Sequence, residues 1–568
     1  MKFRLTARTM LFLLVILLVL VIDVYPMLNM LLKSVQSTQG LTFQHFIDVF
    51  RDSRNIEAIA NTFVVASSAT CLSLILGTGL AYLTNLTDMP GHRFLRVLSV
   101  IPLFTPPFIY AMAWQQLFNP AGYANKLYMV MFSTREPLFN IYGPAGIILV
   151  MSAGSFATVF LITEGAFRQM DSALEEAGMA CGATPMRVLK DITIPIMLPN
   201  ILAAAIVVFI TEISNFGIPA ILGFQVSYYV LTTRIYEVLN EFYREDSFEA
   251  ASAMSIILLV LALLSLWLKD RAIKQGRYEI AGATMGQQAR VKLGIIKFPI
   301  SIFVTILLLI SSVVPLIAIG LTSLIKAYGL SPHFSNLTLA NFTGVIGLSL
   351  VKKAFANSLG LSVASATIAV VIGTIIAYIL TRTNWKIRRW LDIAVATPYA
   401  LPGTIVALAM ILAFSRPLPL LGISLYNTFW IILVAYIARY LFFVVRTVSA
   451  AIMQVNPDLE EAARISGATW YKSIRDVLLP QVRKSLISSW ILVFSHTISE
   501  LTLSILLWSA GNETIAVAVF NLQETGNLTS SSALAMILLL VSLGGYLLIE
   551  YVNQVNQLKT GQSIRIER

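Results

Sequence analysis

Long apolar segments alternate with short polar ones along the whole of this 568-residue chain. Each apolar run has about 20 residues, enough for a helix to cross the roughly 30 Å hydrocarbon layer of a membrane. The runs predict six helices in the first half, at about 9–32, 61–84, 98–117, 145–162, 198–222 and 250–268. Six more are centred near Leu308, Ile368, Ile405, Ala435, Phe494 and Leu540. The pattern predicts an all-α integral membrane protein with about twelve transmembrane helices.

The second half of the chain repeats the first. The segment LTFQHFIDVF at 41–50 returns as LTLANFTGVI at 337–346, a spacing of 296 positions. The same spacing pairs Asn61 with Asn357, Gly77 with Gly373, Tyr82 with Tyr378, Pro102 with Pro398 and Pro106 with Pro402. Six plus six helices in the same orientation predict two parallel repeats. We place the first repeat at 1–268, a cytoplasmic linker at 269–297 and the second repeat at 298–568.

The composition and the placement of charge support a membrane protein. Hydrophobic residues make up 57% of the chain and charged residues 12%, whereas soluble domains carry about 25% charged residues. About 28 Lys and Arg fall in segments that share one side with the termini and the linker, and about 11 fall on the other side. This asymmetry predicts cytoplasmic termini, and it accounts for the net charge of +11 without a nucleic-acid partner. The first apolar run is too long for a signal peptide, so we expect it to be retained.

Two polar islands interrupt the apolar pattern at matching places in the two halves. The first, EEAGMACGATPMRVLKDITIP, spans 175–195, and the second, EEAARISGATWYKSIRDVLLP, spans 460–480, which is 285 positions later. Each has two helix-favouring pieces on either side of a glycine and ends with a proline before the next apolar run. The pattern predicts a helix, a sharp turn and a second helix outside the bilayer. A motif carried twice indicates a partner that is bound at two equivalent sites.

The islands resemble the EAA loops of permeases in binding-protein-dependent ABC importers. The resemblance lies in an acidic Glu-Ala-Ala or Glu-Ala-Gly start, a glycine after it, and an apolar-x-apolar-Pro ending. It implies that the following residues couple the chain to ATPase subunits: Glu175, Glu176, Ala177, Gly182, Pro195, Glu460, Glu461, Ala462, Gly467 and Pro480. The first copy departs from the pattern at Gly178, where the third position is usually alanine. Glycine costs a helix roughly 0.5–1 kcal/mol of stability, so the first loop is expected to be slightly less stiff.

The resemblance also implies partners and a location. A permease of this kind works in the bacterial inner membrane with two copies of an ABC ATPase and an extracytoplasmic solute-binding protein. ATP and Mg belong to the ATPase, so this chain is expected to bind no cofactor and to be no enzyme. The residues agree, because the phosphate-binding pattern GxxxxGK[ST], the zinc pattern HExxH and a serine nucleophile elbow do not occur. The chain is then the conduit, and its energy comes from a partner or from an ion gradient.

Ionisable residues within membrane helices are costly and mark either a pathway or an internal pair. We predict that the translocation path is bordered by Glu212, Asn215, His496, Glu500, Arg439, Pro106 and Pro402. His496 and Glu500 are four residues apart and are expected on one helix face. Two alternatives stay open for the charged groups: Arg439 neutralises one of the acids in a structural pair, or the acids and His496 face the solute. Metal contacts are unknown from the sequence, with Glu212 and Glu500 as the candidate ligands. The prolines are either bends beside the path or packing kinks.

Two further segments, 213–223 and 498–507, resemble the iron(III) branch of these permeases, as does the double-length architecture. That branch shades into importers of thiamine, aminoethylphosphonate and sugar phosphates. Fe(III) is a hard cation that suits carboxylate ligands, and acids outnumber Arg439 inside the predicted helices, so ferric iron is the favoured solute. The competing class is an ion-gradient-driven secondary transporter, which can also have six-plus-six repeats but leaves the duplicated loops unexplained. A membrane scaffold without transport leaves the buried acids unexplained.

Overall fold

The computed structural model describes residues 7–37, 40–170, 173–241, 246–275, 291–417, 422 and 424–559. Half of the linker predicted at 269–297 therefore lies outside the described residues. The regular structure of the described residues is helical apart from a two-stranded antiparallel hairpin, Gln36–Ser37 (β1) and Gly40–Leu41 (β2).

The helices of the first half are α1 (Ala7–Val35), α2 (Gln44–Arg51), α3 (Ser53–Leu86), α4 (His92–Phe104), α5 (Pro107–Phe118), α6 (Tyr123–Phe132), α7 (Pro144–Gln169), α8 (Ala173–Ala180), α9 (Pro185–Ile213), α10 (Gly217–Val226), α11 (Leu231–Leu239) and α12 (Ser247–Gln275). Those of the second half are α13 (Gly294–Leu324), α14 (Ala340–Gly347), α15 (Ser349–Arg382), α16 (Arg388–Ala400), α17 (Gly403–Phe414), α18 (Phe429–Gln454), α19 (Asp458–Ile465), α20 (Trp470–Ile498), α21 (Ser504–Leu507), α22 (Ile515–Glu524) and α23 (Leu528–Lys559).

Ten of these helices are long and apolar enough to cross a membrane: α1, α3, α7, α9, α12, α13, α15, α18, α20 and α23. Two more crossings are candidates, each made of helices that meet at a sharp bend. The angle is 108° between α4 and the helical segment that begins at α5, and 111° between α16 and α17. The described chain therefore has up to twelve crossings, which confirms the predicted all-α membrane fold.

The structure corrects the continuity of three predicted helices. The helix predicted at 98–117 is two helices, because α4 ends at Phe104 and α5 begins at Pro107. The helix centred near Ile405 is broken in the same way at Leu401 and Pro402. A proline has no N–H to donate to the preceding turn, so the chain turns sharply at both of these places instead of bending gently. The helix predicted at 198–222 also stops early, at Ile213, and a short helix restarts at Gly217.

The packing divides the chain into two compact units that differ from the two sequence repeats. One unit consists of residues 46–339 and the other of residues 1–45 together with 340–568. The first membrane helix, α1, therefore packs with the second half of the chain, and α13 packs with the first half. The repeat boundaries therefore stay a prediction from the sequence. In the packing, the first helix of each repeat belongs to the unit formed by the other repeat.

The exchanged helices cover the short helices that follow the sharp bends. Every residue of α17 is buried, although it has only 12 residues, and α1 packs along it with the Tyr25 hydroxyl 3.4 Å from the carbonyl oxygen of Ala413. In the other unit α5 is buried from Phe108 to Leu117. There the Tyr110 hydroxyl donates to the carbonyl of Ser311 on α13 at 2.6 Å.

Two glycines that the repeat aligns lie where long helices touch. A Cβ atom on Gly77 of α3 would lie 2.6 Å from both the carbonyl oxygen of Phe156 and the Cβ of Val159 on α7. A Cβ atom on Gly373 of α15 would lie 2.7 Å from a methyl group of Val444 on α18. The repeated glycine therefore permits close approach of two helices in each unit, a common device in membrane proteins.

We expect Gly77→Ala to destabilise the protein, since a backbone oxygen cannot move away and overpacking costs about 1–3 kcal/mol. Gly79→Ala, two residues on, is the matched control, because no atom lies within 4 Å of a Cβ built there. The measurement is the thermal unfolding midpoint of both variants in lipid nanodiscs. Equal midpoints for the two variants would contradict the close approach.

Candidate functional site

The two polar islands fold into the predicted helix–turn–helix. Helix α8 ends at Ala180 and is followed by Gly182, where the backbone has φ +86°. Helix α19 ends at Ile465 and is followed by Gly467, with φ +90°. In the first loop the N–H of Ala183 bonds the carbonyl of Gly178, and the N–H of Gly182 bonds that of Met179. The second loop repeats both bonds at the matching residues. This is the Schellman arrangement, which uses a left-handed residue to end a helix.

A threonine starts the second helix of each loop. The Thr184 hydroxyl accepts a hydrogen bond from the N–H of Arg187, and Thr469 accepts one from the N–H of Lys472. Both are N-caps, which satisfy one of the free amides at a helix start. The sequence Gly-Ala-Thr at 182–184 and 467–469 therefore encodes the whole turn, from the end of one helix to the cap of the next.

The first glutamate of each loop points into the protein. Glu175 is buried and accepts a hydrogen bond from the Thr193 hydroxyl on α9. Burial raises the pKa of the Glu175 carboxyl, and the Thr193 hydrogen bond works in the opposite direction. Glu460 is also buried and accepts from Arg382 Nε at 3.1 Å and from the Tyr378 hydroxyl at 3.2 Å. Both acids therefore anchor their loop to a neighbouring part of the chain.

The second glutamate and the residue after it face outward in both loops. Glu176 and Ala177 are exposed on α8, and Glu461 and Ala462 are exposed on α19. Apolar side chains lie exposed in the same loops, including Met186 at 73% and Ile465 at 86% of the full area. The loops thus present a mixed apolar and acidic surface.

Gly178 has a packing role that the sequence did not reveal. A Cβ on Gly178 would lie 2.8 Å from the Cδ1 of Ile192 and 3.3 Å from a methyl group of Val188. The departure from alanine lets the two helices of the first loop approach each other closely. The second loop has Ala463 at this position.

The prolines at the ends of the islands lie inside the second helix of each loop. Helix α9 runs without interruption through Pro195, and α20 through Pro480. A five-residue π-helical turn precedes each proline, at Leu189–Thr193 and Ile474–Leu478. A π turn carries its hydrogen bonds in a different register, and it lets the chain continue directly into the membrane-spanning part.

In the unit of residues 46–339, Glu212 lies in the last turn of α9 beside the break at 214–216. The buried carboxylate accepts hydrogen bonds from the Ser155 hydroxyl on α7 and from the Asn215 amide at 3.5 Å. The Asn215 side-chain oxygen in turn accepts from the N–H of Ile218 at 3.2 Å, which caps α10. Polar side chains therefore satisfy the backbone where the helix stops.

In the unit of residues 1–45 and 340–568, Glu500 lies in the corresponding break between α20 and α21. One carboxylate oxygen accepts from the N–H of Leu503 at 3.0 Å, and the other from the Tyr440 hydroxyl. Residues 215 and 500 are aligned by the repeat, and each bonds the N–H three residues on. Asn215 and Glu500 are thus structurally equivalent caps. The expectation that His496 and Glu500 share one helix is wrong, because α20 ends at Ile498.

His496 belongs to the same cluster through its ring. The imidazole Nδ1 lies 2.9 Å from the carbonyl oxygen of Leu492, and the ring centroid lies 5.7 Å from that of Tyr440 and 5.0 Å from that of Phe443. Tyr440 therefore contacts both His496 and Glu500. In the described residues no three His, Cys, Asp or Glu side chains converge as a metal site.

Arg439 is held by backbone carbonyls, and the alternative in which it forms an ion pair with an acid is not seen among the described residues. Its guanidinium donates to the carbonyl of Leu401 at 3.0 Å and lies 3.5 Å from the carbonyl oxygen of Pro398. Among the described residues it has no carboxylate within the 4.0 Å of an ion pair. Pro402 cannot donate to Pro398, four residues earlier. Arg439 therefore compensates the break that Pro402 makes.

Among the described residues, four buried charged groups were missed by the sequence reasoning: Asp23, Glu164, Arg234 and Glu513. Asp23 lies near the middle of α1, and neither carboxylate oxygen has a hydrogen-bond partner among the described residues. It lines a mostly apolar cavity of about 330 Å³ between α1 and α16. Asp23 could have been found from the sequence, because it is an acid inside the long apolar run at 9–32. Arg234, 1% exposed, bonds Asn55 and Glu241, and Glu164 pairs with Arg96; both lie outside the apolar runs, so no signal marked them.

The geometry described so far agrees with the family comparison. Residues 69–274 and 369–555 match the family described as "Binding-protein-dependent transport system inner membrane component". The matched segments cover more than half of the chain, so the chain belongs to this family. With one match in each half, it is a double-length permease of the ABC transporter class and a multi-pass membrane protein.

Relatives with descriptive names point to more than one solute. A probable ABC transporter permease of Sinorhizobium fredii is 26% identical over 488 residues, 84% of each chain. A ferric transport system permease protein of Actinobacillus pleuropneumoniae is 21% identical over 550 residues, 95% of this chain and 77% of the relative. A putative 2-aminoethylphosphonate transport system permease protein of Salmonella typhi is 28% identical over 242 residues, 42% of this chain and 89% of the relative. A solved bacterial transporter that imports alginate matches 48% of this chain and 96% of its own, with a TM-score of 0.38 and 19% identity.

We expect Arg439→Met to destabilise the protein by about 1–3 kcal/mol, because it leaves buried carbonyls without a donor. Arg439→Lys should recover part of the loss. Arg446→Met is the matched control on the same helix, since Arg446 is 50% and its partner Asp392 36% exposed, and solvent-accessible pairs contribute little. The unfolding midpoint in nanodiscs measures all three variants. A loss for Arg446→Met as large as that for Arg439→Met would refute the role of Arg439.

Proposed function

We propose that this chain is the permease subunit of an ATP-driven importer that moves ferric iron, delivered by an external binding protein, into the cytoplasm. The observation that carries the importer reading is the pair of EAA loops. Each is anchored inward by its first glutamate and exposes its second. A secondary transporter driven by an ion gradient has no use for two such loops, so we rank that class second.

Each loop is proposed to seat in a groove of one ATPase subunit, so that two copies bind one permease chain. ATP and Mg are bound by those subunits, and this chain holds no cofactor of its own. Closure of the two subunits then moves the two EAA loops, and with them α9 and α20, which continue into the membrane without a stop. The family description supports an extracytoplasmic binding protein as the third partner.

The same proposal places both termini, the linker at 269–297 and both EAA loops in the cytoplasm. Its support is the excess of Lys and Arg in these segments. A membrane-impermeant thiol reagent should reach cysteines introduced at Gln288 and at Gln225 from opposite sides of the membrane. Labelling of both from the same side would refute the orientation.

The proposed path is bordered by Glu212, Asn215, His496 and Glu500, with the breaks at Pro106 and Pro402 beside it. Buried acids at matching breaks support this assignment, since such groups in a membrane usually serve a solute or an internal bond. The name of a ferric relative and the preference of Fe(III) for oxygen ligands favour iron. Importers of aminoethylphosphonate, thiamine and sugar phosphates are the alternatives, and a half-length relative supports the first of these.

Uptake by the reconstituted importer tests the solute. Proteoliposomes with the permease, its ATPase and its binding protein are supplied with radiolabelled ferric iron or with radiolabelled aminoethylphosphonate. We expect ATP-dependent accumulation of iron and none of the phosphonate. Accumulation of the phosphonate alone would overturn the iron assignment and keep the importer class, whereas iron uptake without ATP and with an ion gradient would overturn the class.

We expect the double variant Gly182→Val, Gly467→Val to hydrolyse ATP without coupled uptake while its membrane helices still fold. A β-branched residue is strongly disfavoured at positive φ, and a non-glycine residue there costs about 1–2 kcal/mol. Each single variant should show a partial defect, because the other loop still docks.

The matched control is the double variant Gly182→Asn, Gly467→Asn. Asparagine adds a side chain but tolerates the left-handed conformation, and no atom lies within 4 Å of a Cβ at either glycine. It should therefore keep most of the uptake per ATP hydrolysed. Equal defects in the Val and Asn variants would show that bulk, and not the backbone conformation, disturbs the loops.

A further inference from the structure

The N-terminal end of α1 lies against the second EAA loop. Arg8 and Phe12 are four residues apart and lie on one face of α1. Trp470 is the first residue of α20, directly after the turn of the loop, and Tyr378 lies near the end of α15. All four side chains belong to the same compact unit.

Phe12 is the centre of this contact. It is 1% exposed, and its ring centroid lies 5.7 Å from that of Trp385, 5.8 Å from that of Trp470 and 6.2 Å from that of Tyr378. The interplanar angles to the two tryptophans are 77° and 79°, which are edge-to-face contacts. Aromatic rings favour this geometry because the positive edge of one meets the negative face of another.

Arg8 adds a cation to the same rings. Its guanidinium carbon lies 5.3 Å from the ring centroid of Phe12, 5.6 Å from that of Trp470 and 6.0 Å from that of Tyr378. Each distance is within the range of a cation–π interaction. Arg8 is half-buried, so water only partly competes for its charge.

The contact continues to the acid that anchors the loop. The Trp470 indole N–H donates to the Tyr378 hydroxyl at 3.2 Å, and that hydroxyl donates to Glu460 at 3.2 Å. A continuous series of contacts thus joins the first described turn of the chain to Glu460.

The first loop lacks the residues that make this contact. The repeat places Pro185 at the position of Trp470 and Met89 at that of Trp385, while Tyr82 matches Tyr378. In the unit of the first loop, the exchanged helix α13 makes a different contact. The Ser301 hydroxyl on α13 donates a hydrogen bond to the carbonyl of Pro90 at 2.9 Å. The two loops therefore share their turn and differ in what supports it.

We propose that Arg8 and Phe12 are positioning residues for the second EAA loop. They hold Trp470 and Tyr378, and through them Glu460, so that the second loop is set by the N-terminal helix and the first is not. The two docking sites for the ATPase are then inequivalent, and a change at the N-terminus acts on one of them alone. This inference rests on the proposed coupling role of the loops.

Thiol labelling of the full chain in nanodiscs tests the positioning without any ATPase. The first loop carries an exposed cysteine, Cys181, and the repeat aligns it with Ser466. Labelling rates are measured for Cys181 in a Cys71→Ala background, and for Ser466→Cys in a background that lacks both native cysteines.

We expect Arg8→Ala and Phe12→Ala each to raise the labelling rate at 466 by about three- to tenfold and to leave the rate at 181 unchanged, since they loosen contacts on one loop only. Leu14→Ala, an exposed position on the same helix, should change neither rate. Arg8→Lys should restore much of the protection. An unchanged rate at 466 in both variants, or an equal rise at 181, would overturn the proposal.

A second measurement tests the consequence for transport. In proteoliposomes with the partners, Arg8→Ala should lower uptake per ATP by about two- to fivefold, in line with the loss of one positioning contact. This loss should largely disappear when Gly467→Val is already present and persist when Gly182→Val is present. Loss of the same size in both backgrounds would overturn the assignment to the second loop. If Arg8→Ala and Phe12→Ala give the expected labelling rates but neither Gly182→Val nor Gly467→Val lowers uptake per ATP, the proposed function is refuted and the positioning is not.

Discussion

A backbone group that loses its hydrogen bond inside a membrane has no water to replace it, and this constraint accounts for most of the polar residues within the two units. The helices are interrupted at Pro106 and Pro402, and again at the two matching breaks after α9 and α20. At three of these breaks a polar side chain from the same unit supplies a missing partner. Arg439 donates to carbonyls beside Pro402, and Asn215 and Glu500 accept from N–H groups. Arg439, His496 and Glu500 are thus bonded to the backbone of their own unit, and any role toward a solute is added to that one.

The same logic explains why the EAA loops carry two acids in a row. The first, Glu175 or Glu460, is buried and ties the loop to the membrane helices. The second, Glu176 or Glu461, is exposed. In the proposed importer the first acid is the inward anchor of the loop and the second is its outward contact. The helices after the loops continue without a break into the membrane-spanning part.

Much of the fold and of the loops could be predicted from the sequence, because strong local signals encode them. Apolar runs identified the membrane helices, and the glycines at 182 and 467 identified the turn between the two helices of each loop. The breaks were harder to predict. Residues 214–216 have no proline, so the end of α9 depends on the Ser155 and Asn215 hydrogen bonds, which only the folded structure brings together.

Long-range packing was beyond the sequence. The exchange of α1 and α13 between the units depends on which short helix needs cover, and neither periodicity nor charge encodes that choice. The partner of Arg439 was missed for a related reason: a search for opposite charges overlooks carbonyls that a proline leaves free. Asp23 could have been noticed, since an acid in an apolar run is a visible signal.

Cross-linking from the loops to the ATPase tests the central claim most directly. A photoreactive group is attached at Cys181 in a Cys71→Ala background, at Ser466→Cys in a background that lacks both native cysteines, or at both sites together, in a complex assembled with the ATPase. The account predicts that either site alone cross-links one ATPase subunit, and that both together cross-link two per permease chain. Cross-links only to lipid or only to the permease itself, from both sites, would contradict it.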